Sequence, residues 1–143
     1  MPRIEESVDI KRPADQVFAY TTDARNWPNW QLTLPEAEQT SPGPVAVGTA
    51  FKGTIRMMGR SMAWTARATE YEPGRRFGKT IACGGITNQQ HNTYEPIDGG
   101  TRFTIVYDMK VGGPMKLFSP MIVGATRKAL KEALGNLKRL LEA

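Results

Sequence analysis

Few side chains in this 143-residue chain have the type and spacing to do chemistry, and most of them lie on segments that alternate like strands. The most unusual is Thr87-Asn-Gln-Gln-His-Asn-Thr93. Strands are depleted in Asn, and a half-buried strand alternates apolar with polar residues. Here both phases are polar for seven residues. Counting back from Tyr94, taken as inward, Asn88, Gln90 and Asn92 share its face, while His91 points outward with Thr87, Gln89 and Thr93. An amide left unpaired in a dry core costs about 1–3 kcal/mol. A wet or ligand-filled cavity removes that cost, and so does an exposed sheet edge; the residues leave both open.

Three side chains are candidates for acid–base work: Glu6, in phase with the apolar Ile4, Val8 and Ile10, and the phenols Tyr94 and Tyr107. Lys79 stands in phase with Phe77 and Ile81 and invites the same two readings as Glu6. Either the inward charge serves a ligand, or it escapes to solvent at the end of the sheet. Nucleophile and phosphate motifs are absent: there is no Gly-x-Ser-x-Gly and no Gly-rich phosphate loop. One histidine, His91, and one cysteine, Cys83, leave no zinc cluster and no intramolecular disulfide. With His91 outward, an enzyme would have to act by orienting a reactive substrate. That is feasible for an aldol-type cyclisation, where folding the substrate is most of the task.

These residues must be positioned by a recognisable order of elements. Residues 4–10 alternate as a strand with one buried face. Pro13 suits the first turn of a short helix whose apolar side is Val17, Phe18 and Tyr20. Asp23 is placed to cap a second short helix carrying Trp27 and Trp30, which are expected to pack the helices under the sheet. After a loop at Ser41-Pro-Gly-Pro44, strands follow around residues 51–57, 62–68, 77–83, 86–95 and 103–109. The short Gly-containing turns between them, Met58-Gly-Arg-Ser61 among them, imply an antiparallel meander. Ser119-Pro120 reads as a cap and first helical position. A helix from there to Glu142, with Val123, Leu130, Leu134, Leu137 and Leu141 at helical spacing, would run about 34 Å.

The opening Val8-Asp-Ile-Lys-Arg-Pro-Ala through Asp-Ala-Arg-Asn-Trp-Pro-Asn-Trp30, the Gly99-Gly-Thr-Arg-Phe-Thr104 block and the closing helix together resemble the SRPBCC superfamily, in particular its polyketide cyclase/dehydrase-like branch. The resemblance spans nearly the whole chain and implies one START/Bet v 1-like domain over residues 1–143. It implies the α+β helix-grip fold, a curved antiparallel sheet wrapped around a long C-terminal helix with two short helices after the first strand. In that fold the sheet cannot close fully on one helix, so core and cavity wall are drawn from the same residues. The implied function is binding of a small hydrophobic molecule (a lipid, isoprenoid, quinone or polyketide-like compound) in an internal cavity. A cyclase/dehydratase-type enzyme and a protein-interaction module of the same fold are the alternatives.

On this reading the cavity wall is Phe51, Ile55, Met57, Trp64, Ile81, Phe103, Ile105, Tyr107 and Met109, with Asn88, Gln90 and Asn92 orienting the ligand. The small inward positions Gly53, Ala66 and Ala68 leave room, and the apolar Met115–Met121 stretch is placed to form the mouth. No metal or cofactor is implied. Of the net charge of +5, most sits in the last 28 residues, with six basic side chains against two acidic ones. Solvation explains such a face; contact with anionic lipid is the lesser reading, and no nucleic-acid motif is present. A single cysteine and the lack of an apolar leader fit a cytoplasmic protein, monomeric or homodimeric.

Overall fold

Alternation along the chain becomes a seven-stranded, wholly antiparallel sheet in the computed structural model, which describes residues 3–143. The first strand, β1 (Arg3–Ile10), is followed by α1 (Ala14–Thr22), a 3-10 turn (Ala24–Asn26) and α2 (Trp27–Trp30). Strands β2 (Glu36–Gln39), β3 (Ala50–Met57), β4 (Arg60–Glu72), β5 (Arg76–Cys83), β6 (Ile86–Ile97) and β7 (Gly100–Val111) complete the sheet. A 3-10 turn (Gly113–Phe118) then leads into α3 (Ser119–Glu142). Spatial order is β1-β7-β6-β5-β4-β3-β2, so the chain's first strand closes against its last. This is the expected helix-grip fold: a curved sheet around one long helix.

Local chemistry explains most boundaries. β3 and β4 are joined by two residues, Met58 and Gly59, with φ of 52° and 76°. Positive φ at both is the geometry of a type I′ hairpin turn. The Asp23 carboxylate accepts the Arg25 amide and caps the 3-10 turn, as its position in the sequence implies. Ser119 does not cap α3: it is already helical, and its N–H donates to the Lys116 carbonyl of the preceding turn. A cap lies just outside the helix, and the 3-10 turn that runs straight into α3 moves that position back to Phe118. β2 carries no alternation of its own, and the periodicity does not predict it. It pairs with β3 because Gly53 lets its backbone approach: a Cβ there would collide with the Glu36 carbonyl and lie 2.6 Å from the Trp64 ring.

A bulge between Ala68 and Glu70 reverses the phase of β4 partway along. Trp64, Ala66 and Ala68 face inward before it, and Tyr71 faces inward after it. Glu70 is thereby turned to the outer face, where its carboxylate lies over Gly78 and meets His91 Nδ1 at 2.6 Å. The inner face of α3 is Ile122, Leu130, Ala133, Leu134 and Leu137, all buried. Its far end is tied to β1: Lys138 Nζ donates to the Asp9 carbonyl at 2.6 Å, and Glu142 accepts the Lys11 amide at 2.9 Å.

Candidate functional site

Two halves of the inner sheet face differ in what comes down on them. Over one half, α1 and α2 deliver aromatic rings. Phe18 stands edge-on to Tyr71 and Tyr94, Trp30 to Phe103, and Trp27 lies 5.0 Å from Phe51. Over the other half come α3, the loop after α2 and Met115, with Trp27 reaching its border over Lys79, and they leave a hollow of about 140 Å3. Its floor is three cross-strand rows: Trp64, Cys83 and Ile86; Ile81, Asn88 and Met109; Lys79, Gln90 and Tyr107. Its roof is Ile122, Thr126, Ala129, Leu130 and Ala133 of α3. Gln31, Thr33 and Leu34, the β3–β4 hairpin (Ile55, Met57, Met58, Met62) and Met115 complete the wall. The hollow is partly open, and the exposed Leu32, Met58, Leu117, Phe118 and Met121 lie on or beside wall segments in the chain.

The expected wall is therefore divided. Ile55, Met57, Trp64, Ile81, Asn88, Gln90, Tyr107 and Met109 come together around the hollow. Phe51, Phe103 and Ile105 do not; each is at most 1 % exposed and sits in the packed half. Asn92 is also outside, buried beside the cavity, where its Oδ1 accepts a bond from Gln90 Nε2 at 2.9 Å. Met121, 63 % exposed, is on the outer side of α3, and Met115 takes the place at the mouth. Gly53, Ala66 and Ala68 contribute no space: the Trp64 ring lies over Gly53, and the two alanines are in packed core. His91 faces outward and Asn88, Gln90 and Asn92 inward, in the phase counted from Tyr94.

The acid–base candidates separate as well. Tyr94 is core: its hydroxyl is 2.6 Å from Thr21 Oγ1, and burial raises its pKa against the smaller opposing pull of the Thr21 and Asn92 hydrogen bonds. Glu6, half-buried on edge strand β1, pairs with Ile105 and does not reach the hollow. Tyr107 alone of the three lines it, and burial pushes its pKa up to about 12, so it stays a protonated phenol at neutral pH. Burial likewise raises the Cys83 thiol.

Lys79, inward by phase but outside the expected ligand set, is the cavity's most distinctive group. It is 4 % exposed, and its Nζ stands 3.4 Å from the centroid of the Trp27 ring. Burial draws its pKa down to about 7, and no carboxylate among the described residues opposes that. Two further polar atoms are buried without a protein partner at the wall: Asn88 Oδ1 and the indole N–H of Trp64. The residues missed from sequence are chiefly those of the roof. Ala129 and Ala133, small residues four apart on the inner face of α3, were the available signal. Among the described residues no cluster of three or more His, Cys, Asp or Glu is placed to hold a metal, and no helix is long and apolar enough to cross a membrane.

A curved sheet gripping one helix above a partly enclosed apolar hollow defines a helix-grip cavity protein. The chain belongs to the family described as polyketide cyclase/dehydrase and lipid transport, whose profile matches residues 1–142. An uncharacterised protein of Mycobacterium tuberculosis is 26% identical over 147 residues, covering 96% of this chain and 83% of its own. Among solved structures, the Zhui aromatase/cyclase of Streptomyces sp. R1128 superposes with a TM-score of 0.85 at 14% identity, over 99% of this chain and 93% of that one. A protein of Thermus thermophilus superposes at 0.83 with 15% identity, over 96% and 95%. At such identities the likeness is one of fold.

Proposed function

We propose that this protein binds a small, largely apolar molecule in the hollow between sheet and α3, with a polar group of the ligand oriented by Asn88 and Gln90. The observation that carries this reading is Asn88 Oδ1, a buried acceptor with no protein partner on the wall of an otherwise apolar cavity. Such an atom costs about 1–3 kcal/mol unless something donates to it. Size narrows the class. An engineered cavity of about 150 Å3 accepts benzene, so 140 Å3 holds one ring or a short chain. A longer body would extend past Met58 and Met115, whose flexible thioethers adapt to irregular shapes. The family's description, which joins cyclases to lipid transport, supports an apolar cargo or substrate. A cyclase-type reaction keeps Tyr107 as its one placed candidate among the three expected, and a neutral phenol serves it as a hydrogen-bond donor rather than a base.

The test combines native mass spectrometry of protein purified from its own host with thermal unfolding in the presence of single-ring and short-chain apolar compounds. A bound compound at 100 times its Kd stabilises by about 2.7 kcal/mol. Ala129→Phe, which fills the hollow from α3, should abolish that shift while the protein stays folded. Empty protein from the host, and no shift with any compound, would reject the reading.

A further inference from the structure

We infer that Lys79 is a covalent anchoring site for ligands that carry an aldehyde or ketone: its free amine condenses with the carbonyl to form an imine inside the cavity. This deepens the binding reading above and rests on it. Three observations converge. Lys79 is 4 % exposed and belongs to the wall of a hollow large enough for a single ring, with its amine at the border where Trp27 meets that wall. No salt bridge reaches it among the described residues, so only the faces of Trp27, at 3.4 Å, and Phe77, at 5.9 Å, favour the ammonium. Its strand partner is Gln90, and the strand partner of Gln90 is Tyr107, so an amide and a phenol stand in the same inner row as the amine.

The chemistry balances without any redox partner. The lone pair of neutral Lys79 adds to the carbonyl carbon, and the displaced π pair becomes the hydroxyl of a carbinolamine. That hydroxyl then departs with proton assistance as the C=N bond forms. The carbonyl oxygen and the amine's two protons leave together as one water. A desolvated lysine is the activated nucleophile for this step, because only the unprotonated amine adds. With a pKa near 7, about half of Lys79 is free base at neutral pH. The unfavourable burial of a charge thus becomes a supply of nucleophile. The other titratable groups on the wall, Cys83 and Tyr107, are both held neutral by burial and add no charge to the site. Tyr107 and the Gln90 amide can donate to the carbonyl oxygen or the departing hydroxyl. A ligand carboxylate fits less well: it would demand the charged amine that burial disfavours, and would itself be desolvated.

The chain's other seven lysines are exposed or half-exposed. At pH 7 a solvated lysine has a neutral fraction lower by a factor on the order of 10³. Lower basicity makes Lys79 a weaker nucleophile and returns part of that factor, leaving an excess of at least about tenfold. The experiment is reductive trapping: benzaldehyde and cyanoborohydride at pH 6–9, read by intact mass and peptide mapping. Cyanoborohydride reduces the imine to a stable secondary amine, whereas a thiol adduct at Cys83 is not trapped. The expected result is one adduct per chain (benzaldehyde less its oxygen) at Lys79, formed at least tenfold faster than at any other lysine. Its rate should rise to a plateau just above pH 7, where solvated lysines are still climbing. Lys79→Met and Lys79→Gln, each checked by thermal unfolding, should lose that adduct and keep the slow background. Benzyl alcohol, which has the same shape and no carbonyl, separates the two ideas. If it stabilises the wild type while labelling is spread over the surface lysines with no excess at Lys79, the imine is overturned and cavity binding stands. If neither compound shifts the unfolding temperature and Lys79 is not labelled, both fail together.

Discussion

Replacing Lys79 by Met should stabilise this protein at neutral pH. Met keeps the length and the apolar stem of the side chain and removes the amine. In the unfolded chain that amine titrates at 10.5; in the fold burial brings it to about 7. Each unit is worth 1.36 kcal/mol, so the full shift corresponds to about 5 kcal/mol. With the folded amine half titrated at pH 7, the net expectation is that Lys79→Met gains about 4 kcal/mol there. Sign and window follow from linkage. Between about pH 7 and 10.5 the unfolded chain holds a proton that the folded chain has released, so wild-type stability rises with pH across that range. The variant has no such group, and its advantage should shrink through the same range and nearly vanish above it. Tyr94 and Tyr107 also titrate at the alkaline end, but they are common to both proteins and cancel in the difference. Urea unfolding at pH 6, 7, 8.5 and 10 measures it; at 1–3 kcal/mol per M, the midpoints should differ by about 1–4 M at pH 7. A variant less stable than wild type at pH 7, or a difference that does not move with pH, would refute the reasoning.

Neighbouring amides on β6 should respond in opposite ways. Asn88→Leu exchanges an unpaired buried acceptor for apolar surface and should leave stability unchanged or raise it by about 1 kcal/mol, while weakening any ligand that donates to that oxygen. Asn92→Leu removes the acceptor of Gln90 and should cost about 1–3 kcal/mol, read from the same urea titration, with ligand affinity changed less. Gly53→Ala forces a methyl against the Glu36 carbonyl and the Trp64 ring and should cost about 2 kcal/mol; amide exchange should show Glu36–Gln39 losing protection first.

Phase was legible in the sequence, and depth was not. Alternation in a strand is geometric, so one inward residue, Tyr94, was enough to orient Asn88, Gln90 and Asn92 one way and His91 the other. The fold followed from the order of periodic segments and turns. Which inward residues meet empty space is decided elsewhere, by what α1 and α2 lay over the sheet. Phe103 and Met109 share one face of β7 and one phase, yet Trp30 packs on the first while the second borders the hollow. Strand β2 escaped notice because an exposed edge strand needs no apolar face. The bulge in β4 adds one residue to the count, which no periodicity reveals; it is why Tyr71 joins the aromatic core and Glu70 reaches His91. Lys79 was visible in phase, but only the lack of a carboxylate beside it among the described residues shows why it matters.

The division of the inner face has a consequence for how such a protein changes over generations. Side chains that hold the sheet to its short helices occupy one end of the strands, and those that border the hollow occupy the other. A substitution at Ile81, Met109 or Ala129 alters the shape of the guest compartment without disturbing the ring stack of Phe18, Tyr94 and Phe103. The two halves form a fixed frame and a free bay that meet at Trp27, over Lys79 and beside Trp64, so wall residues away from that seam are free to vary. Low sequence identity among proteins that share this shape is what such an arrangement permits.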